Sequence, residues 1–158
     1  MQIKVGFIGG GNMAASLIGG LVPGTMVSEH IIVSEPNVER RAVLAEQFGI
    51  EVTDDNNLVC QISDVVVLAV KPQIMADVAQ QLELDERTPL FISIAAGISI
   101  SNLQNWLGSA ATYPIVRVMP NTPALVGCGA SGLFAGPEVN QQQKEIAQTL
   151  VDSVGISF

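Results

Sequence analysis

Six residues, Gly9-Gly10-Gly11-Asn12-Met13-Ala14, constrain this chain more than any other feature. They fit the spacing G-x-G-x-x-A, after an apolar run, Ile3–Ile8, and before a stretch with helical periodicity that begins at Asn12. Strand, glycine turn and helix in that order form the context in which the spacing is informative. Such a turn brings the pyrophosphate of a dinucleotide to the start of a helix. Gly9 permits the tight turn, Gly11 lets a phosphate approach the backbone, and Ala14 lets helix and strand pack closely. The helix would present unpaired N–H groups and the positive end of its dipole to the anion. Outside that context the same glycines would be an ordinary turn.

Strand-then-helix alternation continues along the chain. The first helix is expected to close over Gly19-Gly20 and Pro23-Gly24. Ile31–Val33 reads as a strand, and Val38–Phe48 as a helix ended by Gly49. Ile50–Thr53 is a brief strand and Asp54–Ile62 a short polar helix. Val65–Val70 is an unbroken aliphatic run, the mark of a strand buried on both faces. Pro72 suits the first position of a helix that continues through Ile74–Leu82. Leu90–Ala95 is a further strand, and Ser101 with Gln104 forms a capping box ahead of Leu103–Leu107. Ile115–Met119 and Ala130–Ala135 are strands flanking a loop over Pro120–Gly129. Asn140–Val154 is an amphipathic helix, and Ile156–Phe158 begins a last strand. The pattern predicts an α/β fold, a doubly wound, mostly parallel sheet of Rossmann type with helices on both faces. Length suits one NAD(P)-binding domain over residues 1–158. Because the chain stops inside a strand-like run, it reads as one domain of a longer protein.

Composition removes several function classes. Apolar residues make up 48% and charged residues 14%, which excludes a disordered chain, and at 4% aromatics the core must be aliphatic. A net charge of −8 argues against nucleic acid and against an anionic membrane surface. No apolar run reaches the roughly 18 residues that a membrane span needs. Cys60 and Cys128 lack metal-type spacing and read as free thiols in a reducing cytoplasm. The single histidine, His30, precedes a strand at the wrong end for a site. Asp54-Asp55 and Asp85-Glu86 read as a helix cap and solvated charges. The chain thus has a cofactor platform and no evident acid–base set.

In an open α/β sheet, ligands bind outside the carboxyl ends of the strands. Ser34 and Glu35 end the second strand there, with Asn37, Arg40 and Arg41 following. An acid at this point suits the adenine ribose of NAD, and a small polar residue with arginine suits the 2′-phosphate of NADP, so this sequence mixes the two signals. Glu35 would repel a phosphate if it pointed inward; if it pointed out, Ser34, Asn37 and Arg40 could hold one. The bland reading of Arg40 and Arg41 is a solvated helix face. Val70-Lys71-Pro72 ends the fourth strand and Ala95-Ala96-Gly97 the fifth, where small residues leave room for a flat ring. The stiff loop Met119-Pro120-Asn121-Thr122-Pro123 offers an amide and a hydroxyl beside the nicotinamide.

Val5–Ala14, Ala69–Pro72, Ser93–Gly97 and Arg117–Pro123 together, in order and spacing, resemble pyrroline-5-carboxylate reductase over essentially all 158 residues. The resemblance implies hydride transfer from NADPH or NADH, with NADPH favoured, to the C=N carbon of 1-pyrroline-5-carboxylate, giving L-proline in the cytoplasm. It implies that Gly9, Gly11, Asn12 and Met13 wrap the pyrophosphate. Ser34 and Glu35 would meet the adenosine ribose or its phosphate, and Asn56 would lie on the adenine side. Val70, Lys71, Pro72, Ala95, Ala96 and Gly97 would line the site toward the nicotinamide, with Asn121 and Thr122 at the reaction end. Family members continue into a helical domain that makes the homo-oligomer and holds the substrate. That domain is not in this sequence, so catalytic residues are expected there and this piece is expected to be nearly inactive. Glu35 departs from the small polar residue often found in the family. The alternatives are the cofactor domain of a 3-hydroxyacid-type dehydrogenase and a non-catalytic dinucleotide-binding module.

Overall fold

A computed structural model describes residues 3–22, 24–84, 86–108, 112–119, 129–153 and 155–157. Within them the strands are β1 (Val5–Ile8), β2 (Ile31–Ser34), β3 (Glu51–Thr53), β4 (Val65–Leu68), β5 (Leu90–Ser93), β6 (Ile115–Met119), β7 (Gly129–Ala135) and β8 (Gly155–Ser157). The helices are α1 (Asn12–Leu21), α2 (Val38–Phe48), α3 (Asn56–Ile62), α4 (Pro72–Gln80), α5 (Ile100–Leu107) and α6 (Gln141–Asp152). The sheet order is β3-β2-β1-β4-β5-β6-β7-β8. Strands β1 to β6 are mutually parallel, β7 is antiparallel to β6, and β8 is parallel to β7. The fold class expected from the alternation is the one observed. None of the helices described is long and apolar enough to cross a membrane.

Alternate residues of each central strand feed two cores. Val5, Phe7, Val65, Val67 and Ile92 face α1, Leu44 of α2 and α6. Ile8, Ile32, Val66, Leu68 and Phe91 face α3, α4 and α5. All four residues of β1, β2, β4 and β5 are buried, as strands covered on both faces must be.

Two local expectations differ. Helix α1 runs through Gly19-Gly20 to Leu21 with Val22 as its C-cap, so it ends just ahead of Pro23-Gly24 and not at the first glycine pair. A Cβ at Gly20 would collide with the carbonyl oxygen of Ser153, just past α6, so this glycine serves close helix approach and does not stop the helix. The start of α5 lies two residues earlier than the proposed capping box. Ser99 is the cap, accepting from the N–H of Asn102 at 3.1 Å, while Ser101 lies inside the helix and Gln104 Oε1 accepts from the N–H of Tyr113 at 2.9 Å. The helix stop at Gly49 is as expected: its φ of 68° is left-handed, which favours glycine. Asp55 caps α3 by accepting from the N–H groups of Asn57 and Leu58.

Candidate functional site

The parallel run of β1 to β6 brings the carboxyl ends of six strands to one edge, and with them the turns that follow. Three of the described turns are held by the neighbouring strand. Gly9 N–H donates to the carbonyl of Ser34 at 2.8 Å, Ala69 N–H to that of Ile8 at 2.8 Å, and Glu35 N–H to that of Thr53 at 2.9 Å.

The glycines of the first turn do three different things. Gly9 has φ 100°, and a Cβ there would lie 2.7 Å from the carbonyl oxygen of Ala69. A Cβ on Gly10 would lie 2.7 Å from Leu44 Cδ1, so Gly10 admits α2 to the turn, a packing role that a triple glycine does not announce. A Cβ on Gly11 would meet nothing within 4 Å. Gly11 is the N-cap of α1 and has no side chain to satisfy the first-turn N–H groups, and no acid stands in that turn. The absent Cβ leaves an open cradle in front of the positive end of a helix, the arrangement a pyrophosphate requires. Behind it Ala14 is buried, Met13 half-buried and Asn12 exposed.

The start of α2 closes over this turn. Glu35 points inward: Oε1 accepts from Gly10 N–H at 3.1 Å and Oε2 from Asn37 N–H at 2.8 Å. Arg40 Nε donates to the carbonyl of Gly10 at 2.7 Å and Nη2 to that of Gly11 at 3.4 Å. Arg41 Nη1 donates to the carbonyls of Glu35 at 2.6 Å and Pro36 at 3.1 Å. Both arginines bind backbone, so neither is merely a solvated face. Asn37 caps α2 by accepting from Arg40 N–H at 2.9 Å.

Ser34 is buried, and its hydroxyl donates to Asn56 Oδ1 at 2.6 Å. The serine therefore joins the end of β2 to the start of α3, and it holds the carbonyl side of the Asn56 amide. Val70 lies beneath the glycine turn, its Cγ1 3.1 Å from where a Gly9 Cβ would stand. Lys71 is the exposed N-cap of α4, and Pro72 is at its first turn. Ala95 is buried, its N–H donating to Ser93 Oγ at 3.3 Å, while Ala96 and Gly97 are exposed and Gly97 takes φ 75°. Lys71 and the Ala95–Gly97 turn thus share the edge with the glycine turn. Asn121, Thr122 and Cys128 lie outside the described residues.

The groups with displaced titration stand away from that edge chemistry. Burial pushes the Cys60 thiol up to about 12, with Arg87 opposing the shift, and burial raises the Tyr113 phenol. His30 sits in a short turn before β2, at the amino edge of the sheet.

A family model described as NADP oxidoreductase, coenzyme F420-dependent, matches residues 4–97, which carry the glycine turn, Glu35, Arg40 and the ends of β4 and β5. The chain belongs to this family. Within such oxidoreductases its similarity runs to pyrroline-5-carboxylate reductases. The one from Pseudomonas aeruginosa is 47% identical over 156 residues, covering 98% of this chain and 56% of that protein. A solved pyrroline-5-carboxylate reductase from Coxiella burnetii superposes with a TM-score of 0.94 at 38% identity, over 100% of this chain and 58% of that one. A pyrroline carboxylate reductase from Plasmodium falciparum, solved with NADP bound, gives 0.85 at 30% identity, over 99% and 57%. The chain spans a little over half the length of these relatives.

Proposed function

We propose that this chain is the cofactor-binding part of an NAD(P)H-dependent pyrroline-5-carboxylate reductase, acting on the small substrate 1-pyrroline-5-carboxylate in the cytoplasm. The observation that carries the dinucleotide reading is the open cradle at Gly11, in front of an uncapped helix start. The similarity to reductases over 98% of the chain supports the substrate. Among the described residues Cys60 is a free, buried thiol, which supports a reducing compartment.

A bound reduced nicotinamide would supply the hydride for the C=N carbon of the protonated imine, leaving L-proline and the oxidised cofactor. The residues of this chain bind and orient. Gly9, Gly11, Asn12 and Met13 would hold the pyrophosphate against the start of α1, and Ser34 would fix Asn56 on the adenine side. Val70, Lys71, Pro72, Ala95, Ala96 and Gly97 would line the path to the ring, with Asn121 and Thr122 at its reacting end. A protonated imine is already electrophilic, so orientation and exclusion of water carry most of the burden. Those need a second wall, which we assign to the helical part of the longer relatives, together with the homo-oligomer interface. The NADP bound in the Plasmodium relative supports NADPH.

Titration of the purified chain with NADH and NADPH, alongside a turnover assay with 1-pyrroline-5-carboxylate, tests this reading. Saturable binding of at least one dinucleotide with negligible turnover is expected. Failure to bind either sinks the cofactor reading. Oxidation of a 3-hydroxy acid by the longer protein, without imine reduction, would replace the reductase reading with the hydroxyacid one.

A further inference from the structure

Gly10 is gripped at both ends. Its N–H donates to Glu35 Oε1 at 3.1 Å, and its carbonyl accepts from Arg40 Nε at 2.7 Å. Arg40 Nη2 extends the grip to the carbonyl of Gly11 at 3.4 Å. Each side chain is itself anchored through the start of α2: Glu35 Oε2 takes the Asn37 N–H, and the Arg40 N–H is capped by Asn37 Oδ1. The two residues best suited by sequence to read the adenosine end are therefore engaged with the middle of the glycine turn. A run of three glycines has more backbone freedom to lose than any other tripeptide. Left unheld, that freedom would be lost only when a ligand ordered the turn, at the ligand's expense in affinity.

We propose that Glu35 and Arg40 are positioning residues, a bracket that holds Gly10 and Gly11 in the pyrophosphate-accepting conformation before any dinucleotide arrives. This rests on the dinucleotide reading above. The bracket acts on the part that NADH and NADPH share. An arginine reading the 2′-phosphate would affect NADPH alone, and a carboxylate reading the ribose would affect chiefly NADH. Pre-organisation affects both by the same factor.

Two measurements on the full 158-residue chain separate these cases. Dinucleotide titration of Arg40→Ala is expected to show NADH and NADPH weakened alike, each by about tenfold, with their ratio kept within about threefold. Amide hydrogen exchange by NMR, without ligand, is expected to show Gly10 protected in the unaltered chain and at least about tenfold less protected in Glu35→Ala, with the amides of β1 and β4 unchanged. A loss confined to one dinucleotide overturns the bracket, as does a Gly10 amide that exchanges equally in both chains. Binding of both dinucleotides with no effect of Arg40→Ala overturns this proposal alone. Binding of neither by the unaltered chain overturns the cofactor reading and the bracket with it.

Discussion

Gly9 and Gly11 sit two positions apart in one turn, yet the same substitution should do opposite things to them. At Gly9, φ 100° and the Ala69 carbonyl 2.7 Å from a Cβ leave no place for alanine. Gly9→Ala is expected to destabilise the fold by at least ~1–2 kcal/mol, the cost of a left-handed conformation before any clash. Gly11 takes φ −78°, and a Cβ there meets nothing. Gly11→Ala should leave stability within ~0.5 kcal/mol. It should nonetheless cut dinucleotide affinity at least about tenfold, by filling the cradle that the ligand needs. Denaturant titration and ligand titration on both variants check this, and a Gly11→Ala chain that binds as well as the unaltered one would remove Gly11 from the site. The tight turn that Gly9 makes was legible in the spacing of the motif. The engagement of Glu35 and Arg40 was not, because their partners are the Gly10 N–H and the Gly10 and Gly11 carbonyls. Every residue carries such groups, so no sequence pattern marks them as partners.

At the scale of elements, the glycines of α1 show where local signals fail. Gly19-Gly20 looks like a helix stop when read alone, yet α1 continues to Leu21 because Gly20 lies against Ser153 across the α1–α6 contact. That contact joins residues far apart in the chain, so the local sequence cannot carry it. Gly49 was readable because a helix end is a local event: its left-handed φ and its N–H to the Ala45 carbonyl involve only α2 itself. The capping box was misplaced for a similar reason. Ser101 and Gln104 have the right spacing, but Gln104 is drawn to the N–H of Tyr113 and Ser99 caps instead. The two glycines of α1 should therefore respond with opposite signs. A Cβ on Gly19 would come no closer than 3.4 Å to Phe48 Cε1, an ordinary contact, so Gly19→Ala should gain up to ~1 kcal/mol of helix propensity. Gly20→Ala must push α6 away and should lose more than that gain. A Gly20→Ala chain that melts as high as the unaltered one, or higher, would show that α1 and α6 do not meet this closely.

For the molecule as a whole, alternation and aliphatic composition were enough for the doubly wound class, since a parallel sheet must be covered on both faces. The reversal at β7 was not legible, because a strand's direction depends on its partner and not on its own residues. The two faces also differ in a way that bears on stability. Cys60 and Tyr113 both lie in the layer formed by α3, α4 and α5, and burial raises both groups. An unfolded thiol ionises from its ordinary value of 9.0, whereas the buried Cys60 holds its proton to about 12. Between those values the unfolded chain binds fewer protons than the folded one, so stability falls as pH rises, and the thiol's contribution is intact below 9.0. One thiol accounts for at most ~1.4 kcal/mol per pH unit, and Tyr113 adds to the loss from about its ordinary 10.0 upward. Urea titrations at intervals from neutral pH to about 11 should therefore show a plateau followed by a decline that begins near the ordinary thiol value. In Cys60→Ala the plateau should sit lower, because a buried side chain has been cut back, but the decline should begin later and be shallower. An unchanged slope in that variant would mean that the thiol is reached by water in the folded state, and that the face built by α3 to α5 is looser than its packing indicates.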